Sequence, residues 1–199
     1  MGTIKTTNIE PIADNGTVTL GSSGDTFTVP SGVTVNMSSA TQTGVGGVMT
    51  PSFFASNTGN QNASSNTATK LAFSNEVWDV GGVYDASTNY RFTPGFVGKS
   101  NISCGFWSYD AEELLYRQDA MLYKNGSQLT SFEDRFLGST ATLQRKWISF
   151  SMNVSHDADD YFEMYGLFRT TDNNTADILS SSGNNAQFWN YFTAFKIIE

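Results

Sequence analysis

Charge, cysteine and histidine are all scarce in this chain. Only 15% of its 199 residues are Asp, Glu, Lys or Arg, where an average globular protein has about 25%. One cysteine, Cys104, and one histidine, His156, are present. A lone cysteine excludes an intramolecular disulfide framework, and a lone histidine cannot build a multi-histidine metal centre. The 11 Lys and Arg are scattered and outnumbered by 19 Asp and Glu, giving a net charge of −8. Nucleic-acid binding gains its affinity from gathered cations that displace counterions, so no nucleic-acid partner is expected. The same balance disfavours adsorption to an anionic membrane surface. No apolar run reaches the ~18 residues of a transmembrane helix, and no basic-then-apolar leader follows Met1. Neither a Gly-x-Ser-x-Gly elbow nor a phosphate-cradling glycine loop occurs. The expectation is a protein that is not an enzyme, with no catalytic residues and no cofactor.

What the chain has instead is amides, hydroxyls and rings. Asn, Ser, Thr and Gly are plentiful, and aromatic residues make up 14%. Such a surface hydrogen-bonds without charge, as is usual in extracellular β-modules and virion fibres. From Glu76 to Asp110 three β-prone runs follow one another, Val77–Tyr84, Tyr90–Thr93 and Phe96–Tyr109. Gly81-Gly82, the Asp85–Asn89 turn and Pro94-Gly95 separate them, with residues that accept the φ values a reversal needs. Cys104 sits mid-strand between Ser103 and Gly105 and reads as a small buried apolar residue. Further strands are expected over Arg117–Lys124, which runs into an Asn125-Gly126 hairpin-type turn, and over Leu143–Val154, Tyr161–Arg169 and Gln187–Ile198. Ser56–Thr69 reads as a polar loop with nothing to bury, Asp110–Glu113 as the one spot with helical potential, and His156 as a surface-turn residue. The fold class is all-β and antiparallel.

Residues 1–47 differ from the rest, with no Trp, no Tyr and a single Phe. Short period-two pieces occur there: Val18 with Leu20, Phe27 with Val29, and Val33 and Val35 with Met37. Such strands bury too little apolar surface to offset the backbone entropy of ordering them. This arm therefore needs something to lie against, its own copies or a larger particle, and a flexible tail is the alternative. Gly44–Gly47 reads as a hinge between the arm, residues 1–47, and a head, residues 48–199.

The closing strand speaks about assembly. Phe188, Phe192 and Ala194 fall on one face with Asn190, and Trp189, Tyr191, Phe195 and Ile197 on the other. A strand of a monomeric sandwich keeps one polar face. A strand apolar on both predicts a subunit interface at Trp189, Tyr191, Phe195 and Ile197. Carboxylates cluster twice, at Asp110, Glu112 and Glu113 and at Asp157, Asp159 and Asp160. Calcium needs about six to eight oxygens, and Asp157, Asp159 and Asp160 are the calcium candidates, although their spacing is not that of an EF-hand and a solvated loop is the simpler reading. A glycosidase needs only two carboxylates at a set separation, and nothing in the spacing singles out a pair. The longest loop expected is Thr170–Asn185, rich in amides and hydroxyls. Its Asn173, Asn174, Asp177 and Asn184 are the candidate contacts to sugars or another polar surface.

Several of these stretches resemble, in order, the globular head of the complement and tumour-necrosis-factor (TNF) superfamily. Tyr84-Asp85 with Ser87-Thr88 in the turn, then Phe92-Thr93-Pro94-Gly95, lead into a long strand as in those heads. Pro51–Ala55 resembles the opening strand, and Leu122–Gly126 the strand and turn after the long one. Asp159-Asp160-Tyr161 resembles the aspartate-led approach to the penultimate strand. Phe192-Thr193-Ala194-Phe195 resembles the closing strand, with Ala194 where glycine is usual. The resemblance covers roughly residues 48–199 and implies a ten-strand jelly-roll sandwich that assembles as a homotrimer. It also implies that the closing strand faces the trimer axis and that both termini of the head lie at its base.

The arm carries a resemblance of its own. Thr7–Ile9, Gly16–Leu20 and Gly24–Asn36 are similar to lead-in segments of tail-fibre and other virion proteins of marine bacteriophages. Together the two resemblances imply a virion structural protein, a trimeric fibre or knob on the particle surface. Residues 1–47 would join it to other virion proteins, and the head would contact a host surface glycan or protein receptor. A capsid decoration protein without a receptor, a secreted complement-like recognition module and a glycan-acting enzyme are the alternatives. The secreted module wants a signal peptide and often a collagen-like stalk, and neither is visible.

Overall fold

The computed structural model describes residues 19, 22–35, 49–135, 142–179 and 190–198. The chain divides into two compact units, Met1–Val45 and Gly46–Glu199. In the first, residues 22–35 turn twice, with Asp25 N donating to Ser22 O and Val33 N to Pro30 O. The strands expected at Phe27–Val29 and Val33–Val35 do not form there: Phe27 is 68% exposed and Val33 57%. An apolar alternation becomes a strand only beside a partner that accepts its hydrogen bonds, and these residues have none among the described ones. Val18, Leu20 and Met37 lie outside the described residues.

The second unit is all-β. Its strands begin with β1 (Ser52–Ser56), β2 (Gln61–Ser64), β3 (Thr69–Lys70) and β4 (Asn75–Val80). Then come β5 (Tyr84–Asp85), β6 (Arg91–Phe92), the long β7 (Gly98–Tyr109), β8 (Leu115–Lys124) and β9 (Ser127–Arg135). β10 (Arg145–His156), β11 (Phe162–Thr170), β12 (Thr175–Ile178) and β13 (Tyr191–Lys196) follow. All ladders are antiparallel. One sheet runs β4-β1-β13-β7-β10 and the other β5-β6-β11-β8-β9, the two layers of a jelly roll. β2 and β12 pair with each other and extend the first sheet beside the end of β7, while β3 joins β11 in the second.

Period-two alternation decides which side chains meet between the layers. Along β7, Ser100, Ile102, Cys104, Phe106 and Ser108 are buried, and Asn101, Ser103, Trp107 and Tyr109 face outward. Phenylalanine dominates the core. Phe53 stacks on Tyr84 with centroids 4.4 Å apart and meets Phe192 edge-on at 5.0 Å, contacts worth about 0.5–1.5 kcal/mol each beyond burial. The Tyr84 hydroxyl donates to Phe73 O at 3.1 Å, so its burial leaves no unpaired donor. Cys104 is buried as expected, and burial pushes its thiol pKa up.

Several expectations change. The Val77–Tyr84 run is broken: Gly81 and Gly82, at φ 113° and 65°, carry the chain from β4 in one sheet to β5 in the other. The Asp79 carboxylate holds this step by accepting from Val83 N and Tyr84 N. Ser56–Thr69 and Thr170–Asn185, expected as loops, contain β2 and β12, which bury Ala63, Ala176 and Ile178. Strands of four residues carry too few periods to be recognised without their partner. Asp110–Glu113 is a turn instead of a helix, with Glu113 at φ 62°. His156 is not a surface-turn residue. It ends β10, is buried, and hydrogen-bonds Ser100 Oγ through Nε2 at 2.9 Å. Burial holds its pKa below the ordinary histidine value.

Candidate functional site

Strand direction sorts the head into two ends. The start of β1 lies beside the end of β13, and the start of β7 beside the end of β10. This is the base, where the chain both enters and leaves the sandwich. The opposite, distal end gathers the Asp110–Leu115 turn, the Arg145 end of β10 and the turn after Thr170.

The outer face of the first sheet carries a band of rings that crosses all five main strands. Trp78 on β4 lies 6.4 Å from Phe54 on β1, and Phe54 lies 5.9 Å from Tyr191 on β13. Tyr191 is 6.2 Å from Trp147 on β10, which is 5.6 Å from Trp107 on β7. Gly105 makes room for this band, since a Cβ there would lie 2.5 Å from Trp147 Cζ2 and 2.9 Å from Tyr191 Cε1. Towards the base the rings give way to neutral polar groups. Asn101 Nδ2 donates to Asn153 Oδ1 at 2.9 Å, and Ser103 Oγ to Ser151 Oγ at 2.7 Å. Trp78 is 43% exposed and Val80 49%, and the other rings are half-buried against one another.

The outer face of the second sheet is built differently. Lys70 pairs with Glu163 at 2.5 Å, Arg117 with Asp119 at 2.5 Å and with Glu133 at 3.1 Å, and Tyr123 stacks on Tyr165 at 4.0 Å. Ion pairs of this kind suit a face turned to water. Among the described residues no ion pair lies within the band of rings.

Of the interface residues expected from sequence, Tyr191 and Phe195 stand on the outer side of β13, opposite the buried Phe192 and Ala194. Ile197 follows the strand, its N–H donating to Lys99 O, and Trp189 lies outside the described residues. Nothing in the sequence singles out Phe54, Trp78, Trp107 and Trp147 as one surface. Each is one aromatic in an unremarkable strand until the register sets them side by side.

At the distal end lies a cleft of roughly 400 Å³ between Ser64, the Asp110–Glu112 turn and Asp172–Thr175. It unites Asn173 and Asn174, two of the expected contacts, with the carboxylates of Asp110, Glu112 and Asp172. Asn173 stands at φ 61° on the tip of the turn. Asn174 is partly committed, since its backbone and side-chain N–H groups donate to Asp172 and its carbonyl accepts from Ser65 N. The backbone hydrogen bond from Asn174 holds the Asp172 carboxyl below the usual range. Asp177 does not join them. It belongs to β12, where its carboxylate accepts from Asn60 Nδ2 at 3.4 Å, and Asn184 lies outside the described residues. The cleft is rich in acceptors and suits the hydroxyls of a sugar. That Asp172 would meet the Asp110 cluster has no signal in the sequence.

Of the calcium candidates, Asp160 is otherwise engaged. Asp160 receives Lys124 Nζ at 2.6 Å, Asn125 Nδ2 at 2.6 Å and Asp157 N at 2.7 Å. Those bonds, the Lys124 ammonium first, hold its pKa at about 2. They tie the β8–β9 turn to the β10–β11 connection, so Asp160 acts as a structural lock. Asp157, Asp159 and Asp160 do not converge, and no group of three or more His, Cys, Asp or Glu among the described residues is arranged to hold a metal.

Known structures bear on the architecture. Murine APRIL matches 74% of this chain and 98% of its own, with a TM-score of 0.51 at 8% identity. The fold is a TNF-like jelly roll. The globular domain of zebrafish complement 1qA (13% identity, 75% of this chain and 98% of its own, TM-score 0.48) is similar in outline. So is Eiger TNF from S. frugiperda (7% identity, 75% and 94%, TM-score 0.49). No family model matches the chain, and no curated protein sequence does. At such identities the TNF-like head is established as a fold, and function has to be argued from its surfaces.

Proposed function

We propose that the chain is a homotrimeric recognition protein of a virion surface and not an enzyme. In this reading three TNF-like heads pack through their aromatic faces, residues 1–47 join the particle, and the distal ends meet the host. The observation that carries it is the ring band on the first sheet. Apolar area removed from water is worth about 25 cal/mol per Å², and a contiguous exposed patch of this kind is a site of association. Cyclic symmetry closes such a contact and prevents open-ended fibres. The likeness of the head sequence to complement and TNF heads supports three copies. The likeness of the arm to phage lead-in segments supports the particle. Three distal clefts around one axis would raise avidity for a repeated glycan without any strong single site.

The test begins with mass. Light scattering on the purified chain is expected to give three times the 21.7 kDa of one copy. Tyr191→Arg sets a charge in the middle of the band and is expected to give folded single copies. A wild-type chain that stays folded as one copy removes the reading. Antibody labelling of purified particles separates a virion protein from a secreted module. Asn173→Ala with Asn174→Ala separates a receptor-binding head, in which host adsorption falls, from a decoration protein, in which it does not. These substitutions serve better than deleting 170–185, which would take β12 and its buried Ile178 with it.

A further inference from the structure

Sheet register gathers three arginines that are scattered in the sequence. Arg169 on β11 lies directly opposite Arg117 on β8, and Arg117 directly opposite Arg135 on β9. The row stands on the outer face of the second sheet, because the neighbouring Phe168 and Gln118 point into the core. Directly opposed like charges, with Cβ atoms about 5 Å apart, destabilise a sheet.

Among the described residues two carboxylates answer the row, and both go to its middle member. Arg117 Nε donates to Asp119 Oδ1 at 2.8 Å, and Nη2 reaches Asp119 Oδ2 at 2.5 Å and Glu133 Oε2 at 3.1 Å. Arg135 is exposed and Arg169 half-buried, and neither forms an ion pair among the described residues. Arg169 Nε is shut off from water and has no acceptor among them. Residues 136–141 and 180–189, which adjoin this end of the sheets in sequence, contain no Asp or Glu. The Nε is closed to a ligand as it is to water, so contact with one falls to the terminal nitrogens of Arg169, which are not sealed in this way.

We propose that this row binds the oxyanion groups of an acidic polysaccharide. Guanidinium forks take sulfate or carboxylate oxygens in pairs. Strands stand about 4.8 Å apart, so Arg169 and Arg135 are separated by two strand spacings and engage separate anionic groups of one polymer. Arg117, held by its own carboxylates, keeps the row in place, while Arg169 and Arg135 make the contacts.

The test titrates the full chain with dextran sulfate, polygalacturonate, neutral dextran and a single-stranded DNA oligonucleotide. Wild type is expected to bind at least one of the two acidic polysaccharides and not neutral dextran, and which one it takes identifies the anionic group. Arg169→Gln with Arg135→Gln is expected to weaken that binding at least tenfold. Arg169→Gln alone is expected to leave the melting temperature unchanged or raised, since it relieves a like-charge contact. Binding of neither acidic polysaccharide, equal binding by the double variant, or tighter binding of the DNA overturns the proposal. Should Arg169→Gln fail to fold, the exposed Arg135→Gln decides alone: a several-fold loss supports the site, and unchanged affinity overturns it.

Discussion

Gly105 shows how much a single residue decides on this surface. It lies mid-β7 on the outer face, where Trp147 and Tyr191 close over it. Its backbone is not in the left-handed region, so the need for glycine there is purely one of space. Gly105→Ala is expected to push both rings off the strand and to cost about 1–3 kcal/mol, as overpacking does. A urea titration reads the loss of stability, and light scattering at limiting concentration reads loosened association. An unchanged midpoint together with unchanged mass would show that the rings move freely and that the band is not built. The requirement is invisible in sequence, where Gly105 looks like a weak point in a strand. Tyr191 and Phe192 are an intermediate case: alternation puts them on opposite faces of the strand, and burial of Phe192 shows which face is the core.

At the scale of elements, the turns and locks between strands set the stability. Asp160 fastens the β8–β9 turn to the connection ahead of β11 through Lys124, Asn125 and the Asp157 amide. Its folded pKa of about 2 lies below the ordinary aspartate value of about 3.9. The lock therefore contributes stability in full above about pH 4 and loses it as pH falls towards 2. Asp160→Asn should be less stable than wild type at neutral pH, and the gap should close as pH falls from about 4 to 2. Urea midpoints measured across that range check it, and a gap independent of pH would count against the charge of Asp160. β2 and β12 teach the complementary lesson: their Asn, Ser and Thr side chains read as loop, and pairing with each other, and of β12 with β7, is what makes them strands.

For the whole molecule, the two sheet faces divide the labour. One carries the band of rings, the surface of association in the proposed trimer, and the other carries ion pairs and the arginine row. Raising salt from about 0.1 to 1 M shortens the screening length from about 10 to 3 Å. The assembly is then expected to keep its mass in light scattering while a bound acidic polysaccharide is released. Dissociation in high salt would mean that charged surfaces hold the copies together, contrary to the role given to the rings.

The sequence by itself determined the antiparallel β class, the position of the long strands, and a closing strand apolar on both faces. Those properties follow from local alternation, which each strand carries within itself. Only the tertiary structure decided that five rings from five strands form one band, that Asp172 meets Asp110, and that Arg169, Arg117 and Arg135 stand in a row. Strand order and register set these neighbours, and both come from how the strands pair across the whole head.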